Sequence, residues 1–116
     1  MRLNAWFNLI DEAIVTISHT YNITYINQKT IDMFGYAVEE LVGKPLDILL
    51  PDSVRGETHA AHMARFRASG ESKREMIGRS TLYGVHKDGR LVPIRVSISQ
   101  NQNGFMAQIR LAQSYD

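Results

Sequence analysis

The sequence predicts an α+β domain: a five-stranded antiparallel sheet with short helices and one long helix covering one face. Two strand-like segments near the start are followed by a cluster of helix-like segments and then by three more strands. Helices clustered between runs of strands favour an antiparallel sheet whose helices lie together on one side. A length of 116 residues is enough for one such domain, with a pocket expected between the sheet and the long helix.

The first segment, residues 1–11, is predicted to be an amphipathic helix. Leu3, Trp6, Phe7 and Ile10 recur at three- and four-residue spacing, which is typical of a helix with one apolar face. This face is larger than such a short helix needs for itself. We therefore expect it to pack on the sheet or on a second copy, and we expect a homodimer.

A hairpin and several helices are predicted next. The runs 13–18 and 23–26 are rich in β-branched residues, and Asn27 can cap a helix that ends at Gly35. Shorter helical turns are expected at 38–42 and 46–50. The longest helix is predicted from about residue 53 to 68, with Gly70 just past its end.

Three strands are predicted after the long helix. The first runs from Met76 to about Val85, and Asp88 with Gly89 makes the turn that follows. The buried side of the next two strands is expected to consist of alternating apolar residues: Val92, Ile94, Val96, Ile98, Phe105, Ala107, Ile109 and Leu111.

Composition excludes several classes of function. The 13 basic and 12 acidic residues give a net charge of +1 without a run of like charge, so no nucleic-acid partner is expected. The absence of cysteine excludes disulfides, thiolate metal sites and flavin–cysteine photochemistry, and it fits a cytoplasmic protein. No stretch approaches the length of a membrane span, so no membrane partner is expected. No catalytic motif is present, so the domain is predicted not to be an enzyme.

Two segments of the chain resemble the PAS family closely. The family's first hairpin and short helices are similar to ITYINQKTIDMFGYAVEELVGKPLDILLP, residues 23–51, and its later hairpin to GVHKDGRLVPIRVSIS, residues 84–99. The resemblance implies a PAS sensory domain over residues 12–112, used for sensing or dimerisation. The tail, 113–116, is expected to lead to a missing effector domain such as a kinase or cyclase. The fold alone does not fix the ligand.

A second resemblance is to the haem-binding PAS domains of rhizobial oxygen-sensor kinases, which belong to two-component systems. It lies in PDSVRGETHAAHMARFRASGESKREMIGRS, residues 51–80. In that family a histidine on the long helix binds haem iron, an arginine follows six residues later, and a second arginine lies fourteen further on. The matching residues are His59, Arg65 and Arg79. The resemblance implies haem b, with His59 as the iron ligand and oxygen as the sensed gas.

This chain also departs from those sensors. Lys73 stands where they have a second histidine, and Arg74 where they have an apolar residue near the distal face of the haem. One extra residue separates Arg79 from the Asp88–Gly89 turn. These differences concern the shape of the distal pocket rather than the iron ligand.

The residues themselves leave the role of His59 open. His59, Met63 and Phe66 share one face of the long helix, and we expect His62 on the same side. A neutral imidazole on an apolar face is what a haem ligand requires. The alternative is a structural histidine that packs against a loop or bonds a backbone carbonyl.

The two arginines and the sheet wall have alternatives as well. Arg79 can donate to bound oxygen or to a haem propionate, or it can be a solvent-facing residue of a strand edge. Arg65 can pair with a propionate or be a solvated helix residue. Val96 and Ile98 are expected to face inward and form a dry wall, and they are core residues with or without a cofactor.

The sequence thus predicts a haem-based oxygen sensor, an input module of a larger signalling protein. The alternative is a cofactor-free PAS domain that binds a small metabolite or mediates dimerisation. A flavin-binding PAS domain is a third reading. The presence or absence of a haem absorption band distinguishes the first from the second.

Overall fold

The computed structural model describes residues 12–52, 57–76 and 82–112. Within them the strands are β1 (Ala13–Ile17), β2 (Ile23–Ile26), β3 (Lys73–Met76), β4 (Leu82–Val85), β5 (Leu91–Asn101) and β6 (Gly104–Leu111). The helices are α1 (Gln28–Phe34), α2 (Val38–Leu41), a 3-10 helix (Leu46–Leu49) and α3 (Glu57–Ser69). The predicted helix at 1–11, from which a homodimer was expected, lies outside the described residues and stays a prediction.

The sheet is antiparallel and its strand order is β2-β1-β6-β5-β3, with β4 also paired to β5. Strand β6 runs along one edge of β5, while β3 and β4 share the other edge. The sheet therefore has five strand positions, the outermost of which is made by two segments. This confirms the predicted five-stranded antiparallel sheet.

The prediction of one continuous strand from Met76 to Val85 is wrong. Met76 pairs with Val96, and Leu82 pairs with Ile94. These partners on β5 are separated by Arg95 alone, whereas residues 77–81 separate Met76 from Leu82. An uninterrupted ladder needs equal spacing on both strands, so the pairing with β5 is broken between the two segments. Residues 77–81 lie outside the described residues.

Within the described residues the predicted helices are present, and their ends follow the sequence signals. Asn27 caps α1 by accepting a hydrogen bond from the amide of Thr30. Gly35 ends α1 in the left-handed conformation, with φ of 79°, where a side chain would be strained. The long helix α3 ends at Ser69, and Gly70 follows with φ of 73°. The first residues of its predicted range, 53–56, lie outside the described residues.

Asn27 also ties β1 to α1 from a fully buried position. Its Oδ1 accepts from the amide of Ile14 at 2.9 Å and from the Thr30 hydroxyl at 2.9 Å, and its Nδ2 donates to the carbonyl of Glu12 at 2.9 Å. A buried amide side chain is stabilising only when its donors and acceptors are paired. Asn27 meets that condition and fixes where the first helix leaves the sheet.

The described helices cover one face of the sheet and share its core. The core cluster combines residues of the strands, such as Val15, Ile98 and Phe105, with residues of the helices, such as Phe34 and Leu41. The prediction that Leu111 is buried is wrong, since its side chain is 52% exposed. Strand β1 begins opposite Ile109, so no described residue of β1 lies beside Leu111. None of the described helices is both long and apolar enough to span a membrane.

Candidate functional site

Helix α3 presents one buried face to the core. Met63 and Phe66 are only 4% and 3% exposed, and both belong to the core cluster. His59 precedes Met63 by four residues, so its backbone position lies on the same helical face, one turn nearer the N-terminal end. The side chain of His59 lies outside the described part of the chain. The helix therefore places the predicted iron ligand on its core-facing side at the level of the backbone.

The exposed part of α3 carries two of the residues considered above. His62 and Arg65 are exposed, and Arg65 Nη2 lies 2.9 Å from His62 Nδ1. The expectation that His62 lies on the same side as Met63 is therefore wrong. His62 is one residue before Met63, and consecutive residues of a helix point about 100° apart. The Arg65 side chain does not lie with Met63 and Ile98 in the apolar region. A haem propionate could meet it only at the exposed side of the helix.

The sheet supplies an apolar wall facing α3. Ile98 is 6% exposed, and Val96 is partly buried and packs against the core cluster. Met63, Val96 and Ile98 thus lie in one continuous apolar region, as predicted. Arg74 pairs with Ile98 in the β3–β5 ladder, and its side chain lies outside the described residues. Arg79 belongs to residues 77–81 and lies outside them as well.

The C-terminal end of α3 is attached to β5 by a residue that sequence reasoning missed. Gln100 Nε2 donates to the carbonyl of Phe66 at 2.9 Å and to that of Glu71 at 2.6 Å, and its amide donates to the carbonyl of Ser72 at 2.9 Å. The ring of Phe66 lies 6.2 Å from that of Phe105 on β6. The helix is therefore fixed to the sheet beyond Phe66, while His59 lies near its other end.

The apolar region formed by α3 and the sheet is chemically suited to an apolar planar group. Among the described residues, the polar residues that are buried as a whole are Asn27 and Thr30, and these bond each other and the backbone of β1. The described residues contain no group of three or more histidine, cysteine or acidic side chains that could hold a metal ion directly. A haem needs apolar walls and one axial ligand from the protein. Met63, Val96 and Ile98 fit the first requirement, and the helical position of His59 fits the second.

A second contact between distant segments joins the β4–β5 turn to the helices. The His86 ring packs so closely on Gly35 that a Cβ there would collide with it, and the amide of Lys87 donates to the carbonyl of Phe34 at 2.9 Å. Lys87 also bonds the carboxylate of Glu40. This bond, with a second from the amide of Ala37, lowers the pKa of Glu40 from its ordinary value of 4.5. No role was predicted for His86, because the contact joins segments far apart in the sequence.

Within that turn, Asp88 accepts a hydrogen bond from the amide of Arg90 at 3.0 Å. This bond is the largest influence that lowers the pKa of Asp88, and His86 and Arg90 lower it further by their charge. The carboxylate thereby stays ionised at the tip of the hairpin, where it stabilises the predicted Asp-Gly turn.

The described part of the chain is an antiparallel sheet covered on one face by short helices, with an apolar region under the long helix. The family model described as "PAS fold" matches residues 2–110. The chain therefore belongs to the PAS family, whose members serve as sensory domains of signalling proteins. A PAS domain of a protein from Colwellia psychrerythraea superimposes with a TM-score of 0.78 at 18% identity, covering 96% of this chain and 94% of that one. This likeness supports the fold.

Two curated proteins are related to the chain in sequence. The first is a probable serine/threonine-protein kinase of Dictyostelium discoideum, 36% identical over 92 residues, which are 78% of this chain and 6% of that protein. The second is the sensor protein FixL of Bradyrhizobium diazoefficiens, 26% identical over 102 residues, which are 88% of this chain and 20% of that protein. The chain thus spans only a small part of the length of either relative.

Proposed function

We propose that this chain is the haem-binding input domain of a larger signalling protein and that it senses oxygen. The observation that carries the proposal is the position of His59 on the face of α3 that Met63 and Phe66 bury in the core. The similarity to the sensor protein FixL fits the resemblance to rhizobial oxygen sensors found in the sequence. Haem would supply an iron centre at which a diatomic gas is held.

The residues of the chain have distinct tasks in this proposal. His59 would hold the iron through one ring nitrogen. Met63 on the helix, with Val96 and Ile98 on the sheet, would exclude water from the ring. Arg65, exposed on α3, is available to a propionate at the edge of the site. We assign the hydrogen bond to the gas to Arg79, on the ground of the sequence resemblance alone.

The attachment of α3 at Gln100 suggests how a change at the site reaches the rest of the protein. One end of the helix carries His59, and its other end is bonded to β5 and so coupled to β6. Strand β6 leads to the C-terminal end of the chain, where we propose that an effector domain follows. The relatives include a probable protein kinase, and a kinase is the effector we propose.

A cofactor-free domain is the competing function, and one observation favours it. Met63 and Phe66 already fill part of the core beneath α3, so a haem has to displace or reorient side chains there. Such a domain would instead bind a small metabolite or mediate dimerisation. Both readings place the chain among sensory PAS domains, and they differ in whether haem binds.

Titration with haemin separates the two functions. We expect the wild-type chain to take up one haem and to show a shifted and sharpened Soret band. His59→Ala should abolish this change. His62→Ala is the matched control, since it removes an exposed histidine of the same helix, and it should bind haem like the wild type. An unchanged haemin spectrum with the wild-type chain, or equal binding by both variants, would refute the haem proposal.

A further inference from the structure

A cleft of about 200 Å³ lies on the outer face of the sheet, opposite the face that the described helices cover. Arg95 and Ser97 line it, whereas Ile94 and Ile98 on the same strand point into the core. Side chains alternate between the two faces along a strand, so the cleft is separate from the proposed haem site. Its lining is Glu12, Lys73, Arg95, Ser97, Gln108 and Arg110.

Positive charge in this cleft is only partly neutralised. Arg95 and Arg110 stand directly opposite each other in the β5–β6 ladder, where like charges repel. Arg110 Nε is 3.2 Å from Glu12 Oε2. The side chains of Arg95 and Lys73 have no ion-pair or hydrogen-bond partner within the described ranges of the chain. Two of the three cations are therefore free to meet an anion.

The acidic groups nearest the cleft do not cancel this charge. Glu75 is the ladder partner of Ser97, and Glu12 is engaged by Arg110 and by Gln108, whose Nε2 lies 3.4 Å from its Oε1. Among the described residues, the positions around the cleft thus carry three basic residues, Lys73, Arg95 and Arg110, against two acidic ones. The excess is positive.

The hydroxyl of Ser97 is the second, independent observation. Its Oγ is buried and has no hydrogen-bond partner among the described residues. A buried hydroxyl without a partner destabilises a protein, because it gives up hydrogen bonds to water without replacing them. Such groups are uncommon in native structures and call for an explanation. An acceptor in the cleft, next to the free guanidinium of Arg95, would provide one.

We propose that this cleft binds a small oxoanion, the carboxylate or phosphate group of a small molecule. Arg95 and Lys73 neutralise it, and the planar guanidinium of Arg95 can donate two parallel hydrogen bonds to its oxygens. The Ser97 hydroxyl donates a further bond. Because the cleft lies on the outer face of β5, this inference does not depend on haem binding at the inner face.

The test is a titration of the full chain with inorganic phosphate and, separately, with succinate, in a buffer free of other oxoanions. Backbone amide shifts of β5 and β6 are followed by NMR. We expect a saturable change at both strands, which weakens as salt is added. Binding of phosphate alone assigns a phosphate group, binding of succinate alone assigns a carboxylate, and binding of both assigns a general oxoanion site. Each of these supports the proposal, and binding by neither probe overturns it.

Two variants locate the binding. Arg95→Gln should weaken the affinity about tenfold or more, as expected for the loss of a charge-assisted hydrogen bond. Arg90→Gln is the control, since it removes the same charge from an arginine paired with Asp88 in a distant turn, and its affinity should stay within about twofold of the wild type. Equal losses in the two variants would mean that only net charge matters, and the site would be refuted.

Ser97→Ala tests the serine itself, because its expected effect on the melting temperature differs between the free and the anion-bound protein. Without an oxoanion the variant should melt at the same or a higher temperature than the wild type, because an unpaired buried hydroxyl has been removed. The rise in melting temperature caused by phosphate or succinate should be smaller than in the wild type. A variant that retains the full rise would show that Ser97 does not contact the anion and would overturn the proposed site.

Discussion

The side-chain amide of Gln100 donates to the backbone oxygen of Phe66 at 2.9 Å, and so joins β5 to the helix that carries His59. The same nitrogen donates to the carbonyl of Glu71 just after the helix. These bonds satisfy two carbonyls near the helix C-terminus, a place where acceptors lack partners within the helix. One side chain thereby fixes the orientation of α3 relative to the sheet.

Replacing Gln100 should destabilise the domain in a graded way. Gln100→Ala removes both side-chain bonds, and we expect the free energy of unfolding to fall by about 1–3 kcal/mol. Gln100→Glu should cost more at pH 7, since a carboxylate cannot donate and is repelled by two carbonyl oxygens. Urea denaturation measures both effects. Gln102→Ala, in the exposed β5–β6 turn, is the control, and a loss there equal to that of Gln100→Ala would refute this role.

The bond between Lys87 and Glu40 should make stability depend on pH in acid. The pKa of Glu40 is lowered in the folded protein by Lys87 and by the amide of Ala37. The ionised Glu40 carboxylate therefore stabilises the fold fully above its unfolded pKa of 4.5, and this stabilisation is lost as the pH falls through the lower native pKa. Glu40→Gln should be less stable than the wild type at pH 7, and the difference should shrink below pH 4.5.

Melting temperatures measured from pH 7 to pH 3 test whether the stability difference shrinks in acid. Glu39→Gln is the control, since Glu39 is exposed on the same short helix, and its effect should vary less over that range. A difference between Glu40→Gln and the wild type that grows as the pH falls would contradict the account.

The proposed role of Arg79 predicts selectivity between gases. Arg79→Ala should keep haem, because the proposed iron ligand is His59, yet it should bind oxygen more weakly or autoxidise faster. Carbon monoxide should be affected much less, since it gains little from a hydrogen-bond donor. One charge-assisted hydrogen bond is worth about 1.5–3 kcal/mol, or roughly ten- to a hundredfold in oxygen affinity. Gas titrations of the ferrous protein measure both; equal losses would indicate a steric role, and no change would place Arg79 in solvent.

Local features of the fold could be predicted from the sequence because their causes are local. The alternation of Ile94, Val96 and Ile98 predicts a strand, and Asn27 and Gly35 bound a helix through capping and a left-handed turn. The interruption between β3 and β4 could not be predicted in this way. It depends on the register against β5, which only the assembled sheet determines.

The candidate site was predictable in part for the same reason. Helical spacing places Met63 and Phe66 on one buried face. The bond from Gln100 to Phe66 joins residues 34 positions apart in the sequence. The local sequence pattern around Gln100 does not predict it. His62 was mispredicted because it lies at the border of the buried face, about 100° from Met63, and its spacing from His59 alone does not show that its side chain is exposed.

The most direct test of the central claim is chemical rescue of the proposed iron ligand. His59→Gly removes the imidazole, so this variant should not bind haem with the wild-type spectrum. Added imidazole, which can occupy the space left by the side chain, should restore a Soret band close to that of the wild type in a saturable way. The same treatment of His62→Gly, which is exposed on α3, should change nothing. If His59→Gly binds haem like the wild type without imidazole, or if imidazole acts equally on both variants, His59 is not the haem ligand.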